Sequence, residues 1–210
     1  KFKDPAAWDA FDVGLKQSAQ SAAFDGRYLY LCPGFTGDPK KENEYCGNVL
    51  RYDTRAPFKE RGSYETADMR KILGAKAACF DGGAFDGRYI YFVPLYDRVA
   101  ARYDTRGGFN DARSWQAFDT TPLGAGLFVG AVFDGRHLYY CAYGCDNILR
   151  FDTGRDFTDP ANWQSYRCDG TKGLRTNGFD RFAKARRTEV NFCARDEDLA
   201  HRILLQVMGT

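Results

Sequence analysis

One pattern, written three times, constrains this chain more than anything else in it. The first copy reads AAFDGRYLYLCP over residues 22–33, the second GAFDGRYIYFVP over 83–94 and the third AVFDGRHLYYCA over 131–142. Each is followed by a second block: LRYDT ending at Thr54, ARYDT ending at Thr105 and LRFDT ending at Thr153. A third block places a Phe six residues after the YDT aromatic and a further aromatic six residues beyond it. These are Phe58 with Tyr64, Phe109 with Trp115, and Phe157 with Trp163. The FDGR Phe precedes the YDT aromatic by 18 residues in copies two and three and by 28 in copy one, which therefore carries a ten-residue insertion between Pro33 and Gly47. A chain written this way folds as a series of like units that bury their apolar faces on one another.

The blocks read as strands and turns. Asp-Gly between two aromatic-rich runs is a tight-hairpin signal, because a type I′ turn needs positive φ. Tyr28 with Tyr30, Tyr89 with Tyr91 and His137 with Tyr139 alternate with period two, as a strand does. The run ending in Asp-Thr is a third strand, its Asp starting a turn by accepting from the backbone two residues on. The Trp segment is a fourth. Four short strands at a period of roughly 50 residues match a β-propeller blade. The order of an apolar strand, an Asp-Gly turn, an aromatic strand, a YD strand and a Trp strand resembles the kelch repeat over roughly residues 1–170. The pattern departs from kelch where a double glycine is due, at Cys32-Pro33-Gly34, Val93-Pro94 and Cys141-Ala142, so the resemblance is kelch-like.

The expected fold is all-β: a propeller of four blades, at about 20–68, 81–119, 128–168 and 173–210. The last would be closed by residues 6–11, because FKDPAAWDAFD over 2–12 matches FTDPANWQSYR over 157–167. Residues 178–181 read Gly-Phe-Asp-Arg, a decayed FDGR, and 203–207 would pair with the N-terminal strand. A helix from Asp196, with Leu199, Ile203 and Val207 on one face, competes with that strand, and a truncated larger propeller competes with closure.

The side chains that attract a catalytic reading recur in every copy, which points to structure. Asp25, Asp86, Asp134, Asp53, Asp104 and Asp152 sit where turns need Asp, and Arg27, Arg88, Arg136, Arg51, Arg102 and Arg150 are expected to pair between blades or with loops. The two histidines, His137 and His201, lack metal-ligand spacing, and no nucleophile elbow, P-loop or dinucleotide loop appears, so neither cofactor nor metal nor catalytic residue is expected. With 30 Lys and Arg against 28 Asp and Glu, bulk charge does not favour nucleic acid. The stretch Arg181, Lys184, Arg186, Arg187 reads as a solvated face. The longest apolar run, 123–133, is too short for a spanning helix.

What varies between copies is the connection between the second and third strands. Phe35, Asp38 and Tyr45 in copy one, Tyr96 and Asp97 in copy two, and Tyr143 and Asp146 in copy three would make an aromatic-plus-carboxylate rim suited to a glycan or a protein partner. The leading reading is a non-enzymatic binding propeller. A carbohydrate-active hydrolase or lyase, and a structural or surface repeat module, are the alternatives. Of seven cysteines, Cys32 and Cys46 occupy the same repeat positions as Cys141 and Cys145, and copy two lacks both. Their joint presence predicts the disulfides Cys32–Cys46 and Cys141–Cys145, and with them a secreted or periplasmic location.

Overall fold

Each block folds where its chemistry places it. The computed structural model describes residues 3–124, 127–143 and 147–167. Sheet one contains β1 (Ala19–Phe24), β2 (Tyr28–Pro33), β3 (Asn48–Asp53) and β4 (Tyr64–Asp68). Sheet two contains β5 (Phe80–Phe85), β6 (Tyr89–Pro94), β7 (Val99–Asp104) and β8 (Trp115–Asp119). Sheet three contains β9 (Phe128–Phe133), β10 (His137–Ala142), β11 (Asn147–Asp152) and β12 (Trp163–Arg167). All three are antiparallel meanders in sequence order, and a short helix, α1 (Met69–Leu73), joins the first two.

The FDGR turn differs in detail from a type I′ Asp-Gly hairpin. Asp25 and Tyr28 close the loop, the Asp25 N–H donating to the Tyr28 carbonyl at 3.2 Å, so the central pair is Gly26-Arg27. Gly26, Gly87 and Gly135 have φ of 98°, 99° and 99°, a conformation that a side chain resists. Standing one position earlier, the Asp carboxylate reaches across the turn. Asp25 Oδ1 accepts from the N–H groups of Arg27 (2.8 Å) and Tyr28 (2.6 Å), and Oδ2 accepts from the Tyr30 hydroxyl (2.8 Å). Asp86 does the same with Arg88, Tyr89 and Tyr91, and Asp134 with Arg136, His137 and Tyr139.

The FDGR Arg then ties the hairpin to the third strand. Arg27, Arg88 and Arg136 pair with Asp53, Asp104 and Asp152 at 2.6, 2.6 and 3.0 Å. The following Thr54, Thr105 and Thr153 hydroxyls donate to the carbonyls of the same three arginines. The spacing of six in the third block also has a cause. Trp115 Nε1 donates to the Phe109 carbonyl and Trp163 Nε1 to that of Phe157, both at 2.8 Å, while the Tyr64 hydroxyl donates to the Phe58 carbonyl at 2.7 Å.

Neighbouring sheets meet through one repeated contact, here called a junction. Tyr30 of sheet one packs on Tyr103 and Phe109 of sheet two, and Tyr91 of sheet two packs on Phe151 and Phe157 of sheet three. β5 lies between β1 and β9. Gly82 allows this approach, since a Cβ there would stand 2.6 Å from the Gly130 Cα.

This arrangement corrects the propeller expectation and the kelch-like resemblance with it. Three separate four-stranded sheets follow in series, and among the described residues none closes into a propeller or barrel. Residues 6–11 form no strand: Pro5–Ala7 is a turn of 3-10 helix, and the chain over 8–11 is irregular. The repeat pattern encodes hairpins, whose contacts are local, whereas closure needs a non-local partner that the pattern does not specify. The segments 173–210 and 203–207, with Arg181, Lys184, Arg186, Arg187 and His201, lie outside the described residues.

The disulfide expectation is also corrected. Cys32, Cys46 and Cys141 are free thiols, and Cys145 lies outside the described residues. The β2–β3 register pairs Leu31 with Leu50, which sets Cys32 opposite Val49 and three residues from Cys46. The thiols also point apart. Cys32 Sγ donates to the Gly82 carbonyl of sheet two, and Cys46 Sγ to Gln17 Oε1. In sheet three Tyr140 pairs with Leu149, so Cys141 faces Ile148 rather than Cys145. The secreted or periplasmic location, which rested on those bridges, loses its basis.

Candidate functional site

The loops between second and third strands do converge. Phe35 bridges to Tyr45, with ring centroids 5.8 Å apart. Tyr45 stacks on Tyr96 at 5.3 Å with 14° between planes, and Phe35 lies 6.1 Å from Tyr96. Ala78, Cys79 and Leu95 complete this apolar cluster, with Val129 and Tyr143 against it. Four of the expected rim aromatics therefore meet: Phe35, Tyr45, Tyr96 and Tyr143. Tyr45 is only 8% exposed, so its ring is part of the packing.

The carboxylates behave differently. Asp38 is exposed and serves its own turn, accepting from the Lys40 N–H at 3.0 Å while its N–H donates to Glu44. Asp97 is half-buried, and burial pushes its carboxyl above the ordinary range, Arg70 opposing and Glu42 reinforcing the rise. Asp146 lies outside the described residues. Among the described residues no ring closes to form a propeller rim, and the expectation of a binding propeller engaging its ligand there is corrected accordingly.

Three residues near this cluster escaped the sequence reading. Cys79 is buried, its φ is 56°, and its thiol is pushed up to about 12 by burial and then by Asp97 and Asp81. The Asp81 carboxyl is also raised by burial. Arg70 Nε is buried without a hydrogen-bond partner. One signal was available for Asp81, which stands four residues before its FDGR Phe, where the other copies have Gln20 and Val129. The arrangement provides an aromatic patch beside two carboxyls that hold protons above their usual range. No group of three metal-ligating side chains occurs among the described residues.

No protein-family model matches the chain, and no curated protein matches it. Solved structures similar over part of it include the following three. A streptogramin B lyase structure has a TM-score of 0.43 and 16% identity over 78% of this chain and 44% of that one. A calcium-binding protein, regucalcin, from Agrobacterium tumefaciens strain C58 has a TM-score of 0.38 and 18% identity over 68% and 42%. A nidogen/laminin complex has a TM-score of 0.34 and 15% identity over 71% and 66%. The chain thus spans less than half the length of the first two. No helix among the described residues is long and apolar enough to cross a membrane.

Proposed function

We propose that the chain is a structural repeat module whose working part is the series of stacked sheets. One observation carries this reading: the polar side chains that recur are already committed to holding the sheets. The Asp and Arg residues of FDGR and YDT bond one another and the turns, and Arg51 and Arg102 lie across the junctions. Clamp and junction substitutions should lower stability, and no oligosaccharide should raise the melting temperature. Asp134→Ala strips three hydrogen bonds and should cost about 1–3 kcal/mol in urea unfolding.

A second reading, a carbohydrate-active hydrolase or lyase, is favoured by Asp81 and Asp97. Both carboxyls are raised, both act on Cys79, and glycoside hydrolysis uses a pair of carboxyl groups. Phe35, Tyr96 and Tyr143, which are only partly buried, would supply the stacking surface for sugar. Under this reading a sugar raises the melting temperature, Tyr96→Ala removes that rise, and Asp97→Asn removes turnover. Any such sugar-dependent signal would displace the structural reading.

A further inference from the structure

The junction contact is made twice among the described residues, and the parts for a third are present on sheets three and one. On the giving side, a strand-two pair and a strand-three Arg act together. The rings of Tyr28 and Tyr30 are 6.3 Å apart, those of Tyr89 and Tyr91 6.3 Å, and those of His137 and Tyr139 6.2 Å. Tyr139 is held by Asp134 as Tyr91 is by Asp86, and Arg150 is held by Gln164 as Arg102 is by Gln116. Sheet three therefore presents the giving face already assembled. Among the described residues no sheet covers it, and a cavity of about 290 Å³ opens there, lined by Arg136, His137, Arg150, Asp152 and Gln164 among others.

On the receiving side, sheet one carries the full aromatic set. Tyr52 stacks on Tyr64 at 4.8 Å, and Phe58 lies edge-on to Tyr52 at 5.7 Å. The corresponding Phe109 and Phe157 are 3% and 0% exposed, whereas Phe58 is 40% exposed. Only part of this face is covered. Phe11 stacks on Tyr64 at 5.5 Å, as Phe118, at the same repeat position after its Trp, stacks on Trp163 at 4.5 Å. The N-terminal segment thus takes on sheet one the place that β8 takes on sheet three. The ion pair of its Asp9 with Lys59 is exposed on both sides and adds little.

We propose that this chain associates head to tail with a second copy of itself, the sheet-three face of His137, Tyr139 and Arg150 seating on the sheet-one face of Tyr52, Phe58 and Tyr64 of the next copy. The N-terminal segment gives way as they meet. The occupant is assigned by continuity, since both surfaces repeat those already joined at the two internal junctions. Such a contact is heterologous, so each copy keeps one face of each kind. The inference rests on the structural-module reading.

The test is sedimentation equilibrium of the full chain from about 1 to about 200 µM, a range that detects micromolar association. The average mass of the parent should rise with concentration, and Phe58→Ala and Tyr139→Ala should each weaken association at least about tenfold. An equimolar mixture of these two variants retains one intact face of each kind and should give a discrete dimer. Phe11→Ala should strengthen association, by about tenfold if the ring is worth 1.4 kcal/mol on sheet one. Should Tyr139→Ala fail to fold, Arg150→Glu takes its place. A parent that stays monomeric throughout, as it would if its own residues 168–210 covered either face, overturns the proposal. So do variants that associate as the parent does, or a mixture that gives no dimer. A monomer whose junction substitutions still lower stability leaves the structural reading standing, whereas a sugar-induced rise in melting temperature removes that reading whatever the mass.

Discussion

The two internal junctions use the same stacking with different polar partners. At the first, Arg51 lies over Tyr28 at 4.4 Å and over Phe109 of the next sheet at 4.3 Å. Its Nη2 pairs with Glu65 at 3.0 Å, and its Nη1 donates to the Tyr103 hydroxyl at 3.3 Å. At the second, Arg102 lies over Tyr89 at 4.0 Å and Phe157 at 4.9 Å. Here Gln116 stands in place of Glu65, and Phe151 in place of Tyr103. Arg102 keeps a 2.8 Å bond from Nε to Gln116 but is only 5% exposed, and its Nη1 has no hydrogen-bond partner. Arg51 also leaves one buried nitrogen, Nε, without a hydrogen-bond partner, so the copies differ in which nitrogen is left over. The common element is guanidinium held between aromatic rings, which is favourable without a counter-ion, while hydrogen bonding at the rim of the contact varies.

Breaking the shared element should have the largest effect. Phe109→Ala and Phe157→Ala each remove a buried ring from a junction, and each should cost about 3–5 kcal/mol in denaturant unfolding. Equal costs would show that stacking sets the strength of both. A much smaller cost at the second junction would mean that the unsatisfied Nη1 of Arg102 already weakens it.

Next in size is the missing hydroxyl. Phe151→Tyr restores at the second junction the group that Tyr103 supplies at the first, and should stabilise by about 1 kcal/mol. The comparison breaks if Phe151→Tyr is neutral while Tyr103→Phe destabilises. Smaller again is the charge partner. Glu65 is half exposed, so Glu65→Gln should cost about 0.5 kcal/mol, an effect that shrinks in high salt. Gln116→Glu should gain more than Glu65→Gln loses, because Arg102 is the more buried cation.

The smallest effects concern pH, and the clamps and the loop cluster should respond with opposite signs. Arg27, Arg88 and Arg136 hold the Asp53, Asp104 and Asp152 carboxyls below the ordinary range. The unfolded chain binds protons more readily there, so this stability is present above the unfolded pKa near about 4 and is lost as pH falls through the folded values. Asp81 and Asp97 are raised by burial, so ionising them opposes folding, and acidification through their folded range favours it. Asp97→Asn should therefore raise stability at neutral pH and flatten the profile on the acid side, measured by urea midpoints from pH 7 down to about 4. An unchanged profile would place Asp97 in water rather than in the packed cluster.

Much of the local architecture was legible in the residues. FDGR, YDT and the Phe with an aromatic six residues on each correspond to hydrogen bonds that the motif's own atoms complete, with the turn Asp on two N–H groups and the Trp Nε1 on the Phe carbonyl. The structural reading of the recurrent Asp residues followed from the same repetition. Within the candidate site, Phe35, Tyr45 and Tyr96 were singled out because their loops vary between copies. Asp81 and Arg70 were not, because burial of a strand residue and of a helix residue depends on what packs over them.

By itself, then, the sequence determined the hairpins, the turn carboxylates and the four strands of each described sheet, since these rest on contacts within one repeat or one turn. Tertiary structure alone decided that the described sheets run in series without closing among themselves, and that Cys32 faces Val49 while its thiol reaches Gly82. It also decided that Arg51 and Arg102, alike in sequence, meet different partners. The physical reason is range. A hydrogen bond across a turn is specified by the few residues that make it, whereas register, closure and the environment of a buried charge are set by strands tens of residues away.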